Sequence, residues 1–425
     1  MKTEAISSST QLPSGESDPT VNGTTPSPIG MRALLPIVLI IIVDTIGFGI
    51  LMPLLPFYTE RTGASAFTVG ALISVYAFCS FIAAPFLGQL SDRYGRKPIL
   101  IISQVGSMVG YVMFAMSNTL WLLFVARIID GLSAGNMSVA QAYVADNSSH
   151  ADRTRAFGIT GAALGVGFLI GPATGGLLAV RNIHAPLWVA AGLSALSILG
   201  TLVLLPKGRL TSPATGVRHQ FPAEAMIATF RAPETTIIAC LIGLLYFAFG
   251  TYMSGQALFL AGRFEWHGHP FNATNVGLVF TYGSLINVLV QAVVMKRLTL
   301  LVTEKKILIA GFLMMGIGYT GIGLSSALIV LLGFVTIANA GSAMLRPIVL
   351  SQLSKRTHPS RQGLALGVHQ AIFSTTAILS PLLSGALINK GLYRSWTLCA
   401  GAVVFVGAIT ASTLKPAPAL VAASQ

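Results

Sequence analysis

Gly88-Gln-Leu-Ser-Asp-Arg-Tyr-Gly-Arg-Lys-Pro-Ile-Leu100 is a charged, glycine-containing hinge between two long apolar segments. It holds Asp92, Arg93, Arg96 and Lys97, in a chain where only 9% of residues are charged. Two apolar helices joined by so short a link form a hairpin. Short loops rich in Lys and Arg stay on the cytoplasmic side of a membrane, so this stretch sets the expected orientation of the chain.

Composition agrees with a membrane reading. The 425 residues are 53% hydrophobic, with a mean hydropathy of +0.76, whereas a soluble domain carries about 25% charged residues. The net charge of +13 does not point to nucleic acid. Of the 26 Lys and Arg, 19 fall on one side of the expected topology, 5 on the other and 2 inside spans. That bias is a topology signal. Cys79, Cys240 and Cys399 all fall in apolar spans, with no disulfide framework or metal-ligand spacing. No metal and no cofactor is expected.

A membrane-crossing helix needs about 20 mostly apolar residues. That ruler gives twelve spans: 33–57, 68–90, 98–117, 120–142, 156–180, 187–206, 234–261, 274–296, 305–325, 327–350, 362–388 and 395–414. The expected fold is an all-α polytopic membrane protein with both termini cytoplasmic. Residues 1–32 read as a disordered cytoplasmic tail, 33–206 as one six-helix bundle, 207–233 as a cytoplasmic linker, 234–414 as a second bundle and 415–425 as a tail. The halves share spacings. Gly70 and Gly110-Tyr111 parallel Gly277 and Gly318-Tyr319, and Gly158, Pro172 and Gly176 parallel Gly367, Pro381 and Gly385. These coincidences argue for a duplicated six-helix unit. The second copy of the opening hinge, 295–306, keeps basic residues but has no Asp-Arg pair or Gly.

The opening stretch resembles the loop between spans 2 and 3 of the major facilitator superfamily, through Gly88, Leu90, Asp92, Arg93, Gly95, Arg96, Lys97 and Leu100. Asp146 and Arg155, at the next cytoplasmic turn, fit the same family pattern. With Asp92 and Arg93 they form an expected cytoplasmic latch. The resemblance implies two six-helix bundles around a central cavity, working by alternating access as a monomer in the lipid bilayer.

Charges inside spans cost about 2.5–3.5 kcal/mol each on insertion scales, so they read as functional by default. There are four: Asp44, Arg127, Asp130 and Arg346. Asp44 precedes a Gly-rich run ending Pro53-Leu-Leu-Pro56, which resembles the first-span motif of drug:proton antiporters. A carboxylate in a medium of low dielectric is a candidate proton carrier, because its charged form is disfavoured there. Arg127 and Asp130 are spaced i,i+3 and share a helix face. If they pair, Asp44 is the free acid; if Arg127 reaches Asp44 instead, Asp130 is. Arg346 either attracts an anionic group or extends to the cytoplasmic interface, the second being favoured.

In span 5, Gly165, Gly171, Pro172, Gly175 and Gly176 resemble the antiporter signature that separates exporters from importers and facilitators. Small residues at this spacing permit close helix contact, and an interior Pro bends a helix. Candidate substrate-pocket groups in the other half are Tyr246, Phe249, Gln256, Asn287, Gln291, His369 and Gln370. The resemblance is to twelve-span drug:proton antiporters of the tetracycline-efflux type. It implies proton-coupled export of a small amphipathic compound, with an importer or facilitator of a sugar or metabolite as the alternative. No nucleophile–base pair or phosphate loop suggests an enzyme.

Overall fold

The computed structural model describes residues 31–60, 62–146, 153–205, 233–357 and 362–415. Residues 1–30, 206–232 and 416–425 lie outside the described residues, and with them nearly all of the expected tails (1–32 and 415–425) and linker (207–233). Among the described residues, eleven helices are long and apolar enough to cross a membrane. The twelfth element, span 1, is broken into Met31–Leu51 and Leu55–Glu60. The break follows from Pro53 and Pro56, which lack the N–H a continuing helix needs.

The remaining spans are Ala66–Tyr94, Arg96–Met116, Leu120–Asp146 with an interruption, Arg153–Ala179, Ala185–Leu204, Pro233–Arg263, Ala273–Leu301, Glu304–Leu324, Leu328–Lys355, Gln362–Asn389 and Tyr393–Ser412. Span 4 is interrupted at Ser133–Gly135, where the Gly135 N–H turns to the Ser133 carbonyl at 2.7 Å. Span 8 carries one π-helical turn, Val290–Val294. The link between spans 7 and 8 holds a two-residue hairpin, Glu265–Trp266 against His269–Pro270. Its turn places His267 and Gly268 at φ 53° and 78°, the left-handed pair that short hairpins favour.

Packing repeats between the halves. Span 1 lies on span 5, span 3 on span 6 and span 2 on span 4; span 7 lies on span 11, span 9 on span 12 and span 8 on span 10. The halves meet along two seams, span 2 with span 11 and span 5 with span 8. Both seams close at the end where span 1 turns into span 2. There Ser74 donates to the Ile378 carbonyl at 2.7 Å, and Thr274 to the Gly176 carbonyl at 2.7 Å. A Cβ added at Gly277 would stand 2.6 Å from the Pro172 carbonyl oxygen. At the opposite end the halves part, and a Cβ at Gly88, Gly158, Gly161 or Gly367 would meet nothing within 4 Å. The result is a V with its mouth at the Arg96 end.

Candidate functional site

Span 1 carries Asp44 near its middle, thirteen residues from Met31 and sixteen from Glu60. Its backbone is held against span 5. A Cβ at Gly171 would meet the Ile46 carbonyl at 2.8 Å, and one at Gly175 the Ile50 carbonyl at 2.7 Å. Gly167, Gly171 and Gly175 therefore make one seam, against span 1. Pro172 and Gly176 make another, against Gly277 and Thr274 of span 8. The span-5 motif thus serves two contacts at once, and Gly165 extends the second, where an added Cβ would stand 3.5 Å from the Val288 side chain.

Asp44 is half-buried and opens on a cavity of about 180 Å³. Its carboxyl lies beside the side chains of Ser197 and Asn136. Ser197 is itself fixed by Gln104, whose Nε2 donates to it at 2.9 Å, while Thr201 donates to Gln104 Oε1 at 3.0 Å. A buried polar ladder from spans 3 and 6 therefore ends on Asp44. Asp130 lines the same cavity, together with Tyr76, Ser107 and Tyr111. All the residues lining it come from spans 1–6.

Arg127 makes its ion contact with Asp130, Nη2 to Oδ2 at 3.1 Å. Both side chains are almost wholly buried. The contact is electrostatic rather than an aligned hydrogen bond, since Nη2 has no hydrogen-bond partner. The guanidinium also sits over the rings of Tyr76 and Phe114, at 5.5 and 5.0 Å. Ser107 lies beside Asp130 on the same cavity wall. Of the two alternatives left by the sequence, the structure takes the first: Arg127 and Asp130 pair, and Asp44 has no cationic partner among the described residues. Ser107 and Ser197 were missed by sequence reasoning, because a lone Ser in an apolar helix has no distinguishing pattern.

The hinge that opened the chain centres on Arg96, not Arg93. Arg96 Nη1 meets Asp92 Oδ1 at 2.5 Å and Nε meets Asp146 Oδ2 at 2.8 Å. Ser91 accepts from Nη1 at 2.6 Å and donates to the Gly88 carbonyl at 2.7 Å. Arg93 lies over the Tyr94 ring instead. Arg155 is on span 5, and its side chain lies outside the described residues. Every described group of this cluster belongs to one half, so the cluster braces the first bundle and does not bridge the mouth.

The second half has its own brace with the signs exchanged. Glu304 Oε1 meets Lys355 Nζ at 2.7 Å, with Ser351 and Gln352 also donating to the carboxylate. Glu304 lies 208 residues after Arg96, the offset of Gly318 from Gly110, and Lys355 lies 209 after Asp146. Span 3 starts on a base and span 4 ends on an acid; span 9 starts on an acid and span 10 ends on a base. The expectation of a merely degraded second copy is corrected to an inverted one.

Gly95 sits at φ 96°, ψ 153°, a region that disfavours side chains. Such strain costs about 1–3 kcal/mol in a non-glycine residue, whereas partly exposed ion pairs contribute about 0–1 kcal/mol each. Gly95→Ala is therefore expected to lower the melting temperature of the purified protein more than Arg96→Gln. The Arg96→Gln deficit should also shrink in high salt, and the reverse ranking would refute this account.

In the second half the candidates scatter. Tyr246 and His369 are hydrogen-bonded, OH to Nε2 at 3.2 Å, and Tyr246 stands edge-on to Phe373. Phe249 carries Arg346 over its ring at 4.1 Å. Gln256 is buried within the second bundle, and its Oε1 has no partner. Asn287 accepts from the exposed Gln291 at 2.8 Å, one turn before the π-helical turn. Gln370 is exposed, 3.4 Å from the Ser374 hydroxyl. None of the seven lines the Asp44 cavity.

Arg346 departs from the favoured expectation. Helical side chains lean toward the helix N-terminus, which for span 10 is the closed end of the V. The guanidinium therefore reaches into the protein and stacks on Phe249, near the middle of span 7. Stacking of this kind contributes about 0.5–2 kcal/mol, less than the roughly 2.5–3.5 kcal/mol cost of a charge at this depth.

The family model of the Major Facilitator Superfamily matches residues 37–298 and 267–424. The tetracycline resistance protein, class C, of Escherichia coli is 32% identical over 379 residues, covering 84% of this chain and 89% of that one. Multidrug resistance protein 2 of Bacillus subtilis (strain 168) is 26% identical over 379 residues, covering 86% and 91%. The solved nucleoside transporter NupG superposes with a TM-score of 0.75 at 15% identity, over 90% of this chain and 99% of that one, which speaks for the fold alone. The shared length, the paired six-helix packing and the intramembrane charges converge: the chain is a multi-pass membrane protein of the major facilitator superfamily, belonging to its drug:proton antiporters.

Proposed function

We propose that this chain exports a small amphipathic drug-like molecule in exchange for protons, with Asp44 as the proton carrier. The observation that carries the reading is the division of labour between two carboxylates in one cavity. Asp130 is matched by Arg127, whereas Asp44 has only the neutral side chains of Ser197 and Asn136 beside it and no ion pair among the described residues. Only the second arrangement leaves an acid whose protonation changes the net charge of the cavity without breaking an ion pair. Export as the direction draws on the relatives, which are named for resistance to tetracycline and to multiple drugs. A tetracycline-like compound is accordingly the first substrate to test.

The basic loops support cytoplasmic termini and a cytoplasmic mouth, so the V is an inward-open state. Spans 1–6 and 7–12 move as two units, and a monomer suffices for the cycle. Proton binding at Asp44 alters the relative energies of the inward- and outward-open states, and a gradient then sets the direction of flow.

The test is tetracycline transport in proteoliposomes loaded with a pH-sensitive dye. An imposed proton gradient should drive tetracycline against its own gradient, with protons moving the other way. Movement that survives collapse of the gradient, with no counter-movement of protons, would sink the antiport reading and favour a facilitator.

A further inference from the structure

The charges inside the spans do not all find partners. Arg127 and Asp130 match each other. Asp44 is spoken for by proton exchange. Arg346 remains, in the other half, with no carboxylate within 4 Å among the described residues. Its Nε is buried and lacks a hydrogen-bond acceptor. Ser342, one turn earlier on the same face of span 10, has a buried hydroxyl that also lacks a partner.

The surroundings define a shape as well as a charge. Phe249 holds the guanidinium by one face, 4.1 Å from its ring centroid. The other face and the terminal Nη groups are left for something else, because the side chain is only half-buried. Tyr246, also on span 7, adds an aromatic wall, steadied by His369 and Phe373. A flat guanidinium matches a planar, two-oxygen anion better than a point charge does. The aromatic wall favours a ligand whose charge is attached to a ring.

We propose that Arg346, with Ser342 and the Phe249–Tyr246 wall, is a recognition site for the anionic oxygens of a planar aromatic acid. The assignment rests on the transport reading above and names the substrate class of its second half. The carboxylate or enolate edge lies on the Arg346 N–H groups and the Ser342 hydroxyl, and the ring lies along Tyr246. A neutral or cationic molecule of the same shape forgoes the Arg346 contact.

The experiment measures binding to the purified full chain in nanodiscs, with no gradient, so that a failure of proton coupling leaves it readable. The probes are nalidixate, a planar aromatic carboxylate, and ethidium, a planar cation. Wild type should bind nalidixate, and Arg346→Gln should weaken that binding at least tenfold while leaving ethidium binding unchanged and not lowering the melting temperature. Arg346→Lys, which keeps the charge but loses the fork, should fall between. If the Gln variant does not fold, wild type still decides: nalidixate, and not ethidium, should slow modification of Arg346 by phenylglyoxal, read by peptide mass spectrometry. Absence of nalidixate binding to wild type, equal loss of both probes in the folded variant, or no protection of Arg346 would each overturn the proposal. Proton release in proteoliposomes, scored separately, tells a failure of this site from a failure of antiport.

Discussion

Asp44→Asn is expected to reach the membrane at normal levels and to lose all gradient-driven export, down to the rate of empty vesicles. Asn has nearly the shape of the protonated acid and can keep contacts with Ser197 and Asn136. It also removes a charge whose presence in a span costs about 2.5–3.5 kcal/mol on insertion scales. The fold should therefore not suffer. What goes is the exchangeable proton. Substrate-for-substrate counterflow should persist, because that half-cycle needs only that the two states interconvert.

The matched variant separates this site from its neighbour. Asp130→Asn strips Arg127 of its only ion contact among the described residues, and breaking a buried pair from one side costs about 3–5 kcal/mol. Its first symptom should be lower melting temperature and lower yield, before any question of coupling. Gradient-driven export by Asp44→Asn at wild-type rate would move the carrier role to Asp130.

Gly277→Val is expected to hold the chain open at the end that is closed here. The new Cβ would stand 2.6 Å from the Pro172 carbonyl oxygen and 3.0 Å from the Gly176 Cα. Both are backbone atoms, so no rotamer change makes room. Overpacking of this sort costs about 1–3 kcal/mol, which shifts a two-state balance roughly five- to 150-fold. The shift can be read by attaching an impermeant maleimide to Ser74→Cys in a chain otherwise free of cysteine. Ser74 is buried at the seam, against Ile378. Labelling from outside should rise and export should fall. Gly158→Val is the control, since its Cβ meets nothing within 4 Å in this state. Unchanged labelling in Gly277→Val would show that this contact does not close the seam.

Much of the fold could be read from hydropathy alone, because a bilayer demands long apolar runs and permits little else. The twelve expected spans match the observed elements to within a few residues, except that span 8 runs on to Leu301 and span 10 to Lys355. Residues 33–57 read as one span, and the break between Leu51 and Leu55 was not foreseen, although Pro53 lies within it and Pro56 just beyond. Nor was the interruption of span 4: Gly is common in membrane helices, and that a Cβ at Gly135 would strike Leu87 and Ser103 shows only in the packed structure. The acids inside the spans announced themselves by their cost, but which of them Arg127 meets needed side-chain geometry. Arg346 was misjudged because its position, nine residues before the end of span 10, suggested the nearer interface. The direction in which helical side chains lean decided otherwise. Glu304 and Lys355 stayed hidden because a search for a repeated motif looks for the same sign in the same place, and here the signs had changed places.

The two ends of the V are also built from different forces. At the closed end backbone lies on backbone, Gly277 on Pro172 and Gly176, and dispersion contacts of that kind carry no charge for dissolved ions to shield. The open end carries the partly exposed pairs Arg96–Asp92, Arg96–Asp146 and Glu304–Lys355, which lie within reach of a screening length of about 10 Å at 0.1 M salt. A bilayer keeps the two solutions apart, so their ionic strengths can differ. Ions concentrated in the compartment facing the mouth therefore weaken the braces within the two bundles and leave the backbone seam at the closed end as it was.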